Sequence, residues 1–338
     1  MISLLLAMTI AHAAPTNAEL KIGTTSEFDT LHPLVTNMSG SNYIISAALR
    51  TMVVFDINAK LIPSIAKKIP TLADKDAQTI TENGVKKVAA TFEILENAKW
   101  GDGVPVTCKD FALAVDVGHS KNVAISETEQ FNHVERVEFD QKSPKKCRFI
   151  YTGSEFNFAE TPKVKPLPEH LEGPIFQKYK NTPMAYEQNS LYVKEPTNPG
   201  LWNGPYKLTE VKVGSHVRLE PNPYFYGQKP QIKKIFIKLI PNSGTIEANL
   251  RSGTIDMVMV YVVNIDQALS MERLFKKDNL PYVFNYKDGF NYEHLDVNLD
   301  HPVLSSLVVR KALMHGIDRE QISKSMFEGR QPVAHYST

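Results

Sequence analysis

The stretch Trp100-Gly101-Asp102-Gly103-Val104-Pro105-Val106-Thr107-Cys108-Lys109-Asp110 carries more structural instruction than any other part of this sequence. Asp102-Gly103 is a turn dipeptide, and Thr107 stands three residues before Asp110, an acid able to reach back to the helix start. A helix is therefore predicted from Thr107 onward, with Phe111, Ala114, Val115 and Gly118 on one apolar or small face that packs a core.

On the N-terminal side, Leu20-Lys21-Ile22-Gly23 reads as a short strand that Thr30-Leu31-His32-Pro33 brings to an end, because proline pushes its predecessor out of the helical region. Ile44, Ile45, Ala48 and Leu49 recur at helical spacing between Ser41 and Arg50, and Met52 to Phe55 form an apolar, strand-like run. On the C-terminal side the proline-dense stretch from Pro162 to Pro230 predicts loops and short strands and excludes long helices. A strand from Ile232 to Ile240, a short helix ending at Ser252-Gly253 and a strand from Ile255 to Val263 follow, and Asp318-Arg319-Glu320-Gln321 is a second capping box with Gly329 placed to stop its helix. The pattern is α/β.

The chain has 338 residues, more than one domain usually holds, so two lobes are expected. Apolar residues make up 42% and charged residues 22%, and 38 basic side chains stand against 37 acidic ones. That balance belongs to a folded globular protein, and a net charge of +1 without a Lys/Arg-rich run argues against nucleic acid or an anionic membrane surface as a partner.

Met1 to Ile10 is apolar and Ala11-His12-Ala13 supplies a small-x-small pattern, so residues 1–13 read as a signal peptide cleaved after Ala13 and the protein as exported to the periplasm. The segment is short and has no basic residue before it, which places the true start codon upstream of Met1 as an alternative, and a buried N-terminal strand is the other reading. No other apolar run approaches the ~18 residues a membrane span requires. Cys108 and Cys147 are the two cysteines, and in an oxidising compartment they can pair or stay free. Pairing closes a loop worth about 3–4 kcal/mol in the chain-entropy picture.

Catalytic patterns are missing. No serine has the Gly-x-Ser-x-Gly setting of a hydrolase elbow, neither Gly-x-Gly-x-x-Gly nor a Walker loop occurs, and no two of the ten histidines stand as His-x-x-x-His on a helix. Each histidine reads as a surface or hydrogen-bonded residue, and Glu27 and Asp29 as a solvated strand end.

Four segments in order resemble the family 5 extracellular solute-binding proteins, the group that includes the oligopeptide- and dipeptide-binding proteins of bacterial ABC importers. Glu27-Phe28-Asp29-Thr30-Leu31-His32-Pro33 is similar to the family's Thr-Leu-Asp-Pro opening, with His32 in place of the usual Asp. Trp100 to Asp110 resembles its W-x-D-G-x-P-v-T-a-x-D signature, with Cys108 replacing the common Ala. Asn203-Gly204-Pro205-Tyr206-Lys207-Leu208, Glu220-Pro221-Asn222-Pro223-Tyr224-Phe225 and Ser252-Gly253-Thr254-Ile255-Asp256 follow in family order, and so do Asn298, Val309-Arg310-Lys311-Ala312-Leu313 and Gly316-Ile317-Asp318-Arg319-Glu320.

The resemblance implies a two-lobed periplasmic-binding-protein fold, type II-like, with an inserted subdomain in the first lobe and an incomplete second lobe. By that likeness residues 14–49 and 193–294 form the first lobe, 50–192 the insertion and 295–338 the start of the second lobe. It implies a monomeric binder without cofactor, metal or catalysis, which holds a peptide in an interlobe cleft and delivers it to the permease subunits of an ABC transporter in the inner membrane. Other solutes carried by similar proteins, namely a nickel complex, haem or an oligosaccharide, are alternatives, and a periplasmic hydrolase is a more distant one. The lining candidates carried over are Asn37, Met38, Ser39, Tyr261 and His294, with loop solvation or core packing as the competing role for Asn37, Ser39 and Tyr261. With only about 44 residues of second lobe, too few for an independent core, weak or no binding of di- to pentapeptides is expected from the 338-residue chain.

Overall fold

The computed structural model describes residues 19–56, 58–154, 157–159, 164–259, 262–286 and 294–333. The expected signal peptide, with its cleavage after Ala13, and Tyr261 lie outside the described residues. The chain divides into two compact units, one running through Val262 and the other starting at Val263.

The first unit begins with β1 (Glu19–Thr24) and α1 (Ser39–Ala48), followed by β2 (Val53–Phe55), β3 (Leu61–Pro63), β4 (Ala77–Glu82) and β5 (Val85–Glu93). Next come α2 (Cys108–Gly118), α3 (Glu129–His133), β6 (Val134–Glu138), β7 (Lys146–Tyr151), α4 (Glu169–Tyr179), α5 (Ala185–Asn189) and α6 (Leu191–Lys194). It closes with β8 (Tyr206–Lys212), β9 (His216–Pro221), β10 (Lys234–Leu239), α7 (Ile246–Arg251) and β11 (Met257–Val258).

Two main sheets organise these elements. One has the order β11-β1-β10-β9-β8, with β1 parallel to both β10 and β11, and α7 crosses over β1 to join the two. Parallel strands need such a crossover, and the sequence supplies it between Asn242 and Gly253. The other sheet, β4-β5-β7-β6, is antiparallel throughout and carries α2 against it. Its inward residues Val88, Ala90, Phe92, Cys147 and Phe149 are buried together with Phe111, Ala114 and Val115 of α2, so the helix face read from the sequence is a core face.

The Trp100–Asp110 stretch is a turn held by its acids. Val104 donates its amide to Asp102 Oδ1 at 3.0 Å, and Gly103 takes the left-handed φ of +92° that favours glycine. Asp110 is buried and accepts from the Thr107 amide at 2.7 Å, from Trp100 Nε1 at 3.2 Å and from the Glu169 amide at 2.8 Å. Burial pushes its carboxyl up to about 6, and the three N–H donors pull the other way. One carboxylate thus ties the turn, the start of α2 and the start of α4 together. Loss of the capping hydroxyl in Thr107→Ala is expected to cost about 1 kcal/mol. Asp110→Asn, which sets an amide N–H₂ among three buried donors, is expected to cost about 2–3 kcal/mol. Urea midpoints of the two variants check the ranking, and equal shifts would contradict it.

Two expectations need correction. The proline-dense stretch does hold a long helix: α4 runs for eleven residues with Pro174 inside it. A helix-interior proline loses a hydrogen bond and crowds the preceding turn, and here buried Phe176 and the bound carboxylate of Glu172 hold the helix in place against that cost. Of the strand expected from Ile255 to Val263, residues 260 and 261 lie outside the described residues, and among the described ones the strand is Met257–Val258, paired with Ile22 and Gly23 of β1.

In the second unit, α8 (Ile265–Lys277) opens on a capping box in which Asn264 Oδ1 accepts the Gln267 amide at 2.8 Å and Gln267 Oε1 accepts the Asn264 amide at 3.2 Å. Its buried Phe275 packs on Tyr282 and Phe284, and Glu272 gathers Lys276, Tyr286 and Arg330. The helices α9 (Leu307–Gly316) and α10 (Arg319–Phe327) bury no residue, and Asp318 caps α10 by accepting the Gln321 amide at 2.9 Å.

Candidate functional site

Because β1, β10 and β11 are parallel, the loops that leave their C-terminal ends emerge at one edge of the sheet, the edge where open α/β sheets hold ligands. The loop after β1, residues 25–38, is the longest of these and leads directly into α1. Asn37 is exposed on it, half-buried Met38 is the N-cap residue of α1 and exposed Ser39 is that helix's first residue, so these three expected residues stand at the sheet's C-terminal edge. His294 belongs to the second compact unit, where it is exposed and its Nε2 stands 3.2 Å from Asp296 Oδ1.

The approach of α1 to the strand end is close. A Cβ on Gly40 would lie 2.6 Å from the Ser26 carbonyl oxygen and 2.7 Å from that of Glu27, so only glycine fits there. The Gly40 amide donates to Ser26 Oγ at 3.1 Å. Asp29, read from the sequence as a solvated acid, gathers the Thr30 amide at 2.6 Å, Thr36 Oγ1 at 3.2 Å and Ser41 Oγ at 3.4 Å.

Below the loop lies a buried polar chain. His32 is fully buried, its Nδ1 accepts the Leu34 amide at 3.2 Å, and the remaining ring nitrogen, Nε2, faces Tyr186 Oη at 3.3 Å. An accepting Nδ1 puts the ring proton on Nε2, which makes the imidazole a donor to the tyrosine. Tyr186 Oη in turn donates to Glu172 Oε2 at 2.7 Å, and Glu172 Oε1 accepts the Leu191 amide at 2.8 Å. The His32 ring packs edge-on against Tyr186 and Tyr192. Burial drives its pKa down to about 3, so it is neutral at physiological pH, and burial raises Glu172 and Tyr186. Of the two roles expected for a histidine, surface or hydrogen-bonded, His32 takes the second, in surroundings that include Tyr186, 154 positions away. Lys165, its pKa lowered by burial, donates to the Pro33 carbonyl at 3.2 Å and to Asn42 Oδ1 at 2.8 Å.

Cys108 and Cys147 form a disulfide with Cα atoms 5.2 Å apart, tying the first turn of α2 to β7. Surface concavities of about 480 and 410 Å³ lie elsewhere, one against Lys194–Pro199 and Val211, the other against Gly118–Lys121, Val123–Ile125, Thr128 and Asn132. Neither includes the loop residues Asn37 to Ser39, and the sheet topology, which places loops of the parallel strands together, is the stronger guide to a ligand site. Among the described residues no group of three His, Cys, Asp or Glu side chains is arranged to hold a metal, and no helix is long and apolar enough to cross a membrane.

A mixed α/β unit with its longest loop at the C-terminal edge of parallel strands is an arrangement in which open sheets bind ligands. The family model for the middle part of bacterial extracellular solute-binding proteins, family 5, matches residues 62–338, and the chain belongs to that family. It is 26% identical over 321 residues to the oligopeptide-binding protein OppA of Bacillus subtilis (strain 168), covering 93% of this chain and 55% of that protein. The fold matches the oligopeptide-binding protein of Thermus thermophilus in complex with a pentapeptide, at a TM-score of 0.71 and 22% identity over 94% of this chain and 58% of the other. It also matches NikZ of Campylobacter jejuni in complex with Ni(L-His), at a TM-score of 0.70 and 23% identity, covering 94% of this chain and 57% of the other. The chain spans about half the length of the curated relatives it matches, 42% to 55% of them.

Proposed function

We propose that this chain is part of the substrate-binding component of an ABC importer, that it binds peptides, and that it presents them to membrane permease subunits outside the cytoplasmic membrane. The observation that carries the reading is the family match from residue 62 to 338 together with relatives named for oligopeptide binding. Within it, Asn37, Met38 and Ser39 are the ligand-facing residues of the first unit, with Tyr261 and His294 as further contacts. Residues 14–49 and 193–294 serve as the first lobe, 50–192 as its insertion, 1–13 as an export signal and 295–338 as the beginning of the second lobe. The protein acts as a monomeric binder and not as an enzyme.

Main-chain groups and a few polar side chains suit this task, since a peptide offers its own amides and carbonyls and a roomy site tolerates its side chains. Leu307, Val308 and Met314 of α9 and Met326 of α10 are exposed.

A second reading is favoured by the fold likeness to a nickel–histidine complex binder, and the two separate in one titration. Ligand-observed NMR with penta-alanine and, in parallel, calorimetry with the nickel–histidine complex is expected to show saturable binding of the peptide only. Binding of the metal complex alone would replace the peptide reading, and release of alanine fragments would make the protein a hydrolase.

A further inference from the structure

The loop that presents Asn37, Met38 and Ser39 is held both by its own short-range bonds and by residues far away in sequence. The Leu34 carbonyl accepts both the Ser126 amide at 3.0 Å and Ser126 Oγ at 3.2 Å, and the same hydroxyl lies 3.0 Å from the Thr36 carbonyl. Lys165 takes the Pro33 carbonyl, and Tyr186 receives the His32 ring. Among the loop's own bonds is one tight turn, in which the His32 carbonyl accepts the Val35 and Thr36 amides, each at 3.2 Å. Leu31, His32, Pro33, Leu34 and Thr36 are buried, whereas Asn37 and Ser39 emerge to solvent immediately after the last anchored carbonyl.

We propose that Ser126, Lys165 and Tyr186 are positioning residues of the ligand loop: reaching in from the 50–192 stretch, they hold residues 32–36 so that Asn37, Met38 and Ser39 are presented in one conformation. The proposal rests on the reading that these three residues face the ligand. A loop fixed before binding does not have to be ordered by the ligand, so the entropy of ordering it is removed from the binding step. Without the anchors, the seven consecutive residues from His32 to Met38 keep short-range bonds: the His32 turn, the His32 amide to Thr30, the Leu34 amide to His32, Thr36 to Asp29, Met38 to Thr36 and the Asn42 amide to Met38. The 50–192 stretch therefore acts on the site without lining it.

Ser126 is the sharpest test, since its one hydroxyl proton lies within reach of two loop carbonyls and the residue is only half-buried, which leaves room for threonine. Hydrogen exchange measured by mass spectrometry on peptides covering residues 33–42 is expected to speed up about tenfold or more in Ser126→Ala and in Lys165→Met, to return to the wild-type rate in Ser126→Thr, and to stay unchanged in peptides from β5 and β7. Wild-type exchange at 33–42 in both variants would overturn the proposal. So would an equal increase in β5 and β7, because that reports general loss of stability and not release of the loop. Penta-alanine at millimolar concentration separates the two ideas. Protection of residues 36–40 in the wild type supports both. Loosening by the variants with no protection by the peptide keeps the positioning role and removes the ligand assignment of Asn37 to Ser39.

Discussion

His32→Asn is expected to make the first unit markedly less acid-labile. Asparagine keeps an acceptor close to the position of Nδ1, so the Leu34 amide retains its bond, but it cannot take up a proton. In the folded protein the imidazole titrates near 3 because it is fully enclosed, and in the unfolded chain near 6.5. The fold therefore holds the neutral form. Its contribution is complete above pH 6.5 and is lost as the pH falls toward 3, where the unfolded chain has bound one proton more than the native one. A separation of that size corresponds to a loss on the order of 4–5 kcal/mol by the low end of the window, about 1.4 kcal/mol per pH unit. Asp110 has the opposite sign. Its folded pKa is raised to about 6, so its contribution grows as the pH drops from there to its unfolded value of 3.8. The two partly cancel in the wild type, which is why the comparison must be made with the variant. Urea midpoints at about pH 7, 5.5 and 4.5 are expected to fall more steeply for wild type than for His32→Asn, by close to one proton in the slope. Parallel pH dependences would show that His32 is not the acid-sensitive group.

Reducing the Cys108–Cys147 bond is expected to lower stability by about 4 kcal/mol, the chain-entropy value for the 39-residue separation it closes. Both cysteines are buried, Cys147 sits opposite Phe92 in the β5–β7 pairing, and Cys108 begins α2. The bond thus restrains α2, α3 and β6 together in the unfolded chain, which is where a cross-link of this length acts. Paired urea titrations with and without reductant, with thiols counted to verify full reduction, give the shift in midpoint. A fully reduced protein with an unchanged midpoint would place the stabilisation of this sheet in its packing alone. The measurement also bears on export, because such bonds persist in oxidising compartments.

The parts of the proposed site are unevenly legible in the sequence. Asn37, Met38 and Ser39 are proposed as ligand-facing through likeness to a known family and through their place after the first strand. Their anchors cannot. Ser126, Lys165 and Tyr186 have no motif, and their importance comes from contacts spanning 90 to 154 positions of chain. His32 is visible as a departure from the usual Asp, yet nothing near it announces a neutral, buried ring. Helix α4 shows the reverse error, since local proline chemistry argues against a helix that Phe176 and Glu172 secure from the core.

What the sequence by itself determined is local and periodic: β1, α1, α2 with its reciprocal cap, β10, α7 and α10 with Asp318, along with the α/β class and the family. These follow from short-range rules, because a cap, a turn or an apolar face is fixed by residues within about one or two helical turns. Only the tertiary structure decided that Cys108 meets Cys147, that Met257 and Val258 pair with β1, that α4 survives Pro174, and that one buried chain runs from His32 through Tyr186 to Glu172. Each of these depends on what the folded chain places opposite a residue. Burial and partnership at such separations are properties of the packed core, and no window of sequence contains them.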